Sequence, residues 1–425
     1  MEYITAESIL LTILLFFVLV GSHELGHLYF AKRAGILVRE YAIGFGPKIF
    51  SYKKGETRYT FRLLPLGGYV RMAGEDPEMI EVQKGQTVAV KAENGTVTRI
   101  YVDQLDTRKN ALRGTVKEID LERRLRLKLD VDGDLQTLQV HPQALIVGRG
   151  SETQIAPWDR QFGSKTVGQR MMAIFAGPMM NFAVAFILFL AFIYMTGVPV
   201  ENPTHVELSY VSEGYPAEEA GLRKGDIVYS INGEVIGADR ERMIEMIQQS
   251  PDKPMQWVIV RDGEKQEIAV TPRKNEEGIG IVGVGVSFPN RIPGIGEAVS
   301  EAGSTMWNAA KQIFVGLRML VTLQFNLDDL GGPVRITETT GAAVSQGMNI
   351  YVFWTALLSL YLGIFNLLPF PSLDGSRLLF LSIEGIRGKP VDPQREGLVH
   401  FIGFAVLMLL MIVVTYNDIL RLFEN

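Results

Sequence analysis

The stretch Leu19-Val20-Gly21-Ser22-His23-Glu24-Leu25-Gly26-His27 carries the pattern H-E-x-x-H. Helical spacing places His23 and His27 one turn apart on one face, so both imidazoles can reach a single metal ion. Glu24 lies beside them, where a general base for hydrolysis would stand. The setting is unusual for a soluble enzyme. Ile9 to Gly21 is almost wholly apolar, and with the motif the helix extends to about Ala31. That length crosses a bilayer. A charged group at the centre of such a helix costs about 2.5–3.5 kcal/mol, so ionisable residues there point to function. A pair of ordinary interfacial histidines is the competing reading.

Working outward, the 425 residues suffice for two or three domains. Apolar residues make up 47% and are gathered in blocks, and the net charge of −5 comes with no basic stripe, which argues against nucleic acid as a partner. There is no cysteine, which excludes disulfides and thiolate metal sites. The N-terminus does not read as a standard signal peptide, since no Lys or Arg precedes Lys32.

Four apolar blocks predict membrane helices: about 4–31, 172–197, 350–368 and 398–416. Residues 32–170 carry 24 Lys and Arg, and residues 198–349 carry 13. The bias places 32–170 inside the cell, and 198–349 with both termini outside. Residues 41–50 and 57–70 alternate like strands about Lys54-Gly55, which predicts a hairpin lying against or dipping into the membrane. Gly44-x-Gly46 lacks the strand–loop–helix context of a nucleotide site. Residues 79–155 read as a small β-rich module with a hairpin at Asn94-Gly95. Its acidic run Asp130 to Asp134 is either a calcium loop or a plain turn; His141 stands where the loop's closing Glu belongs, which favours the turn.

Phe175-Ala-Gly-Pro-Met-Met-Asn181 is expected to open the second membrane helix, with Pro178 in its first turn. Asn181 has either a packing or an active-site role. In residues 205–287, a short helix from Ala217 closed by Gly221 and a strand from Asp226 to Ile231 closely resemble the PDZ domain of bacterial envelope proteases. Such a domain either captures extended peptides or acts as a folded spacer. His141 and His205 read as surface and structural residues. Met306–Leu323 is amphipathic, and a turn is expected from Asp328 to Arg335.

A two-histidine zinc site needs a third protein ligand. In Asn366-Leu-Leu-Pro-Phe-Pro-Ser-Leu-Asp374-Gly375 two prolines break the third apolar block, and Asp374 sits in the break. Glu384 and His400 compete with it, and a helix-capping Asp is the alternative for Asp374 itself.

H-E-L-G-H, Gly177-Pro-x-x-Asn181, the PDZ-like segment and Asn366-x-x-Pro-x-Pro-x-Leu-Asp-Gly375 together resemble the site-2 protease family of intramembrane zinc metalloproteases. The match covers nearly the whole chain. One PDZ domain and the insert look closest to the Gram-positive bacterial branch that cleaves anti-sigma factors. The resemblance implies Zn2+ held by His23, His27 and Asp374, Glu24 as base, and Asn366 holding the substrate strand that the hairpin presents. It implies single-span membrane substrates, such as anti-sigma factors and remnant signal peptides, trimmed first by an upstream site-1 protease. Ser376 departs from the second glycine of many relatives.

The expected fold is therefore a multi-pass α-helical membrane protein with four transmembrane helices in the bacterial plasma membrane. It carries a membrane-associated β-hairpin region, a cytoplasmic β-rich insert and an extracytoplasmic α+β PDZ domain. The divisions are 1–38, 39–75, 76–165, 166–200, 201–290, 291–349, 350–376, 377–397 and 398–425. Rival functions are a non-catalytic PDZ-bearing membrane scaffold and a metal transporter. Glu24 has no task in a scaffold, and four spans are few for an inverted-repeat transporter.

Overall fold

The computed structural model describes residues 5–75, 82–108, 111–148, 150–275, 277–322, 324 and 331–424. The first residues of the insert, 76–81, Leu323 of the amphipathic stretch, and residues 328–330 of the turn expected from Asp328 to Arg335 lie outside them. The chain divides into two compact units, 1–189 with 303–425, and 190–302.

In the first unit, α1 (Ala6–Arg33) starts at a capping box in which the Thr5 and Ser8 side chains serve each other's backbone. It feeds β1 (Val38–Lys54) and β2 (Thr57–Met72). These strands do not form a simple hairpin. Residues 38–43 of β1 pair with 68–72 on one side and with 58–61 on the other, while 48–54 pair with 57–62. The result is a four-stranded layer in the order 68–72, 38–45, 57–62, 48–54. The chain reverses where Gly44 and Gly46 adopt φ of +90° and +83°, values that a side chain would resist. Among the described residues, 68–72 forms an open edge. Phe45, Ile49, Phe50, Leu63 and Leu64 are exposed on this layer, which suits an apolar surrounding.

Next come β3 (Thr87–Glu93), β4 (Thr96–Tyr101), β5 (Leu112–Asp120), β6 (Arg126–Val131), β7 (Asp134–Gly148) and β8 (Ser151–Gln154). The order is β4-β3-β5-β6-β7-β8, and β7 also pairs in parallel with β4. Five strands thus close into a barrel, which removes their open edges. Alternate residues such as Val88, Val90, Leu127, Leu129 and Val140 fill it. Asp130 is turn chemistry: Oδ1 accepts from the Gly133 amide (2.9 Å) and Oδ2 pairs with Lys117 (2.9 Å).

The tip of the β1–β2 layer is tied down by Glu56. It accepts both Arg160 guanidinium nitrogens (2.7 and 2.8 Å) and Gln154 Nε2 (2.6 Å). The Arg160 hydrogen bonds hold its carboxyl at about 2, below the usual 4.5. A lowered folded pKa gives stabilisation that is complete above the unfolded value and lost as pH falls from about 4.5 to about 2. Hydrogen exchange at the tip of wild-type protein is therefore expected to accelerate across that window. In Glu56→Gln the tip should exchange fast throughout, and a pH response identical to wild type would refute the assignment.

Helix α2 (Val167–Thr196) begins at a capping box, with Gln169 N–H on Thr166 Oγ1 (3.3 Å) and Thr166 N–H on Gln169 Oε1 (3.1 Å). Pro178 therefore lies inside the helix, not in its first turn as the apolar run suggested. The apolar run begins later than the helix because the first turn also carries polar residues, Gln169 in the capping box and Arg170 paired with Glu384.

The second unit holds a sheet in the order 264–270, 255–261, 227–231, 206–211, 284–287. Helices α3 (Pro216–Glu219) and α4 (Arg240–Gln248) accompany it, and fully buried Trp257 centres its core. Helix α5 (Ile295–Val321) leads back into the first unit from residue 303, with Trp307, Phe314 and Val315 exposed along it.

Back in the first unit are α6 (Pro333–Ser345), α7 (Met348–Asn366), α8 (Asp374–Arg387) and α9 (Pro393–Glu424). Helix α6 lies in the division 291–349, where the sequence predicts only an amphipathic stretch at 306–323 and a turn. It is amphipathic and packs on α1, α7 and α9, and buried Asp418 of α9 accepts from the Gly332 and Arg335 amides at its start (both 3.0 Å). Helix α8 fills the start of the division 377–397, outside the four apolar blocks. Among the described residues, four helices are long and apolar enough to cross a membrane: α1, α2, α7 and residues 394–421 of α9.

Candidate metal centre

The centre lies where α1, the 68–72 edge, α2 and α8 meet around a core of Leu28, Tyr41, Ile43, Met72, Ala173 and Leu381. Tyr41 ties the strand layer to α1 directly before the motif, its hydroxyl donating to the Gly21 carbonyl (2.8 Å). The imidazoles of His23 and His27 meet edge to face at 4.8 Å. Their Nε2 atoms are 3.1 Å apart, and Asp374 Oδ2 lies 3.1 Å from His23 Nε2 and 3.4 Å from His27 Nε2.

Hydrogen bonding fixes what these atoms offer. The Ala173 carbonyl can only accept, so His27 Nδ1 donates to it (2.8 Å) and Nε2 of the neutral ring presents a lone pair. Pro178 brings no N–H to α2, which leaves the neighbouring Ile174 carbonyl without its helical donor and loosens the ladder at this level. His23 Nδ1 lies 3.3 Å from the Asn181 amide, whose Oδ1 is buried without a partner. A half-turn of that amide gives Oδ1 a proton from Nδ1 and leaves His23 Nε2 a lone pair too. Asp374 Oδ2 is buried with no hydrogen bond of its own. Three electron-pair donors, all within 4.8 Å, thus face one point, an arrangement that repels itself unless a cation is shared. The donor set of two imidazoles and a carboxylate suits zinc, with the outer nitrogens oriented by second partners.

Space is reserved at that point. A Cβ on Gly177 would stand 2.3 Å from His27 Nε2 and 2.9 Å from His23 Cε1. Glu24 is buried, and a Cβ on Gly68 would press its Cγ at 2.7 Å. A cavity of about 430 Å³ opens here, and its lining includes Glu24, Asn366, Arg377 and the 68–72 edge. Asn366 ends α7, so it shares the cavity with the three donors.

The break before Asp374 is built for close approach. Gly375 lets α8 press on the end of α7, since a Cβ there would be 2.3 Å from the Leu367 and Leu368 carbonyls. Ser376 is buried and its hydroxyl donates to the Leu373 carbonyl (2.8 Å), which closes the first turn of α8. The two competitors are engaged elsewhere. Glu384 pairs with both terminal nitrogens of Arg170 on α2, and His400 accepts from the Ser372 amide (3.0 Å). The Arg170–Glu384 pair is mostly buried and joins α2 to α8; removing one partner of such a pair typically costs about 3–5 kcal/mol. For Asn181 the sequence left a packing and an active-site role open, and its place beside His23 Nδ1 favours the second; the capping box at Thr166 and the Arg170–Glu384 pair had no such reading, and of the two only Thr166-x-x-Gln169 left a local signal.

The sequence model of peptidase family M50 matches residues 11–410. The chain is 47% identical over 424 residues, 99% of both chains, to a Geobacillus kaustophilus protein named zinc metalloprotease RasP. It is 44% identical over 426 residues to the regulator of sigma-W protease RasP of Bacillus subtilis, covering 98% of this chain and 99% of that one. It is 41% identical to a probable protease, eep, of Enterococcus faecalis, covering 98% of this chain and 100% of that one.

Proposed function

The chain belongs to peptidase family M50, and from that membership we propose how its residues perform the reaction of a site-2 protease. It is a membrane zinc metalloprotease. One observation carries the residue assignment: His23, His27 and Asp374 aim three lone pairs at one point beside Glu24. These three hold Zn2+, Asn181 and the Ala173 carbonyl orient the imidazoles, and Glu24 is the base. Bound there, Zn2+ supplies Lewis-acid polarisation of a carbonyl and makes water more acidic.

A transmembrane helix satisfies its amides internally, so the substrate must unwind before attack. The open edge at 68–72 offers backbone groups on which an extended segment can pair as an added strand. Asn366 holds that strand from the other wall. Glu24 removes a proton from the attacking water and returns one to the leaving amine.

The name of the relative that regulates sigma-W supports an anti-sigma factor as the substrate class; the form that fits this site is a single-span protein trimmed beforehand by a site-1 protease. Remnant signal peptides are a second class. The basic bias supports a cytoplasmic 32–170, including the barrel, with 198–349 and both termini outside. The PDZ-like unit then filters substrate size or reads a freed terminus, and the bilayer is the medium of all four spans.

Purified protein in detergent is expected to cut a single-span reporter, to stop on dialysis against a zinc chelator, and to resume when Zn2+ is restored. Cleavage that survives complete zinc removal would overturn the assignment.

A further inference from the structure

We propose that His400, on α9, is a positioning residue for the Asp374 carboxylate; the inference rests on Asp374 being a metal ligand. The chain between α7 and α8 carries Pro369 and Pro371, and Ser372 sits at φ +80°, a region that side-chain-bearing residues avoid. Something must hold it there. Its amide donates to His400 Nδ1 (3.0 Å). An amide can only donate, so Nδ1 keeps its lone pair and the ring proton is on Nε2, 3.7 Å from Glu396 Oε1 one turn earlier. The ring also meets Phe380 of α8 edge-on, with centroids 5.8 Å apart.

A second contact from the same face of α9 acts on the adjacent residue. Gly403 lies three positions after His400, and a Cβ there would stand 2.3 Å from Pro371 Cβ and 2.5 Å from its carbonyl oxygen. The fourth apolar helix thus grips Pro371 by close packing and Ser372 by a hydrogen bond. Leu373 and Asp374 follow at once, with Leu373 as the cap of α8 and its carbonyl accepting the Ser376 amide (3.1 Å). The backbone angles at Ser372 therefore set where the Asp374 carboxylate points. A ligand carboxylate turned away from the two imidazoles binds the ion less tightly, as loss of an outer partner generally does.

The test uses the full-length protein in detergent and reads Zn2+ affinity by competition with a chelator, alongside kcat and KM. His400→Leu is expected to weaken Zn2+ binding about 10- to 100-fold and to lower kcat more than it changes KM. His400→Asn, whose Oδ1 takes the place of Nδ1, should keep wild-type affinity. Adding Ser372→Gly to His400→Leu should recover the lost affinity, because glycine adopts this φ unaided. A merely structural role would not be rescued by that change. Asp374→Asn separates the two readings. If it binds Zn2+ as tightly as wild type, the metal assignment fails. If it binds weakly while His400→Leu binds normally, the positioning role fails, and so it does if the double variant shows no recovery. Should His400→Leu not accumulate, Gly403→Ala replaces it: the added methyl drives into Pro371, weaker Zn2+ binding is expected, and unchanged affinity overturns the proposal.

Discussion

Glu24→Gln is expected to bind Zn2+ as the wild type does and to cut a single-span reporter about 10²–10⁴-fold more slowly, the usual contribution of a positioned acid–base group. Glu24 is buried next to the three convergent donors, and the Gly68 backbone packs on its Cγ, so the side chain has little freedom to move elsewhere. Glutamine has nearly the same shape, and it keeps the packing on Gly68. It cannot accept and return a proton, so the loss should appear in kcat with KM little changed. The check is single-turnover cleavage in detergent together with the zinc content of the same preparation. Wild-type cleavage would remove Glu24 from the role of base, and loss of zinc would mean that it supports the ligands instead.

Gly177→Ala should do the reverse and abolish zinc loading while leaving Glu24 in place. The added methyl would sit 2.3 Å from His27 Nε2 and 2.9 Å from His23 Cε1, closer than such contacts are tolerated. Helices α1 and α2 cross closely here, since a Cβ on Gly26 of α1 would meet the Ala176 carbonyl at 2.2 Å, so moving α2 away to make room would open that packing. The imidazoles must therefore turn, and their Nε2 atoms leave the common point. Zinc affinity is expected to fall by more than the roughly 10- to 100-fold typical of lost outer partners. Chelator competition measures it, and metal affinity equal to wild type would show that the ion sits away from Gly177.

The sequence determined the parts of this protein that local pattern encodes. Apolar runs near bilayer length set the four helices, i to i+4 spacing put His23 and His27 on one face, and Asn94-Gly95 set a turn, because periodicity and turn chemistry act over a few residues. Pairings between distant segments had no such local mark. The re-pairing of β1 with both halves of β2, the parallel closure of β7 on β4, and helix α6 against α1 depend on which surfaces meet once the chain is compact. For the third ligand the sequence favoured Asp374, which sits in the proline break of the third apolar block, but it left Glu384 and His400 as competitors, since all three are polar residues near the ends of apolar blocks. The tertiary structure gives Glu384 to Arg170 and His400 to the Ser372 amide, and leaves Asp374 Oδ2 facing two lone pairs, which supports Asp374 over both. Burial makes that partition sharp: a polar atom removed from water must find a partner, and only the folded arrangement determines which one is within reach.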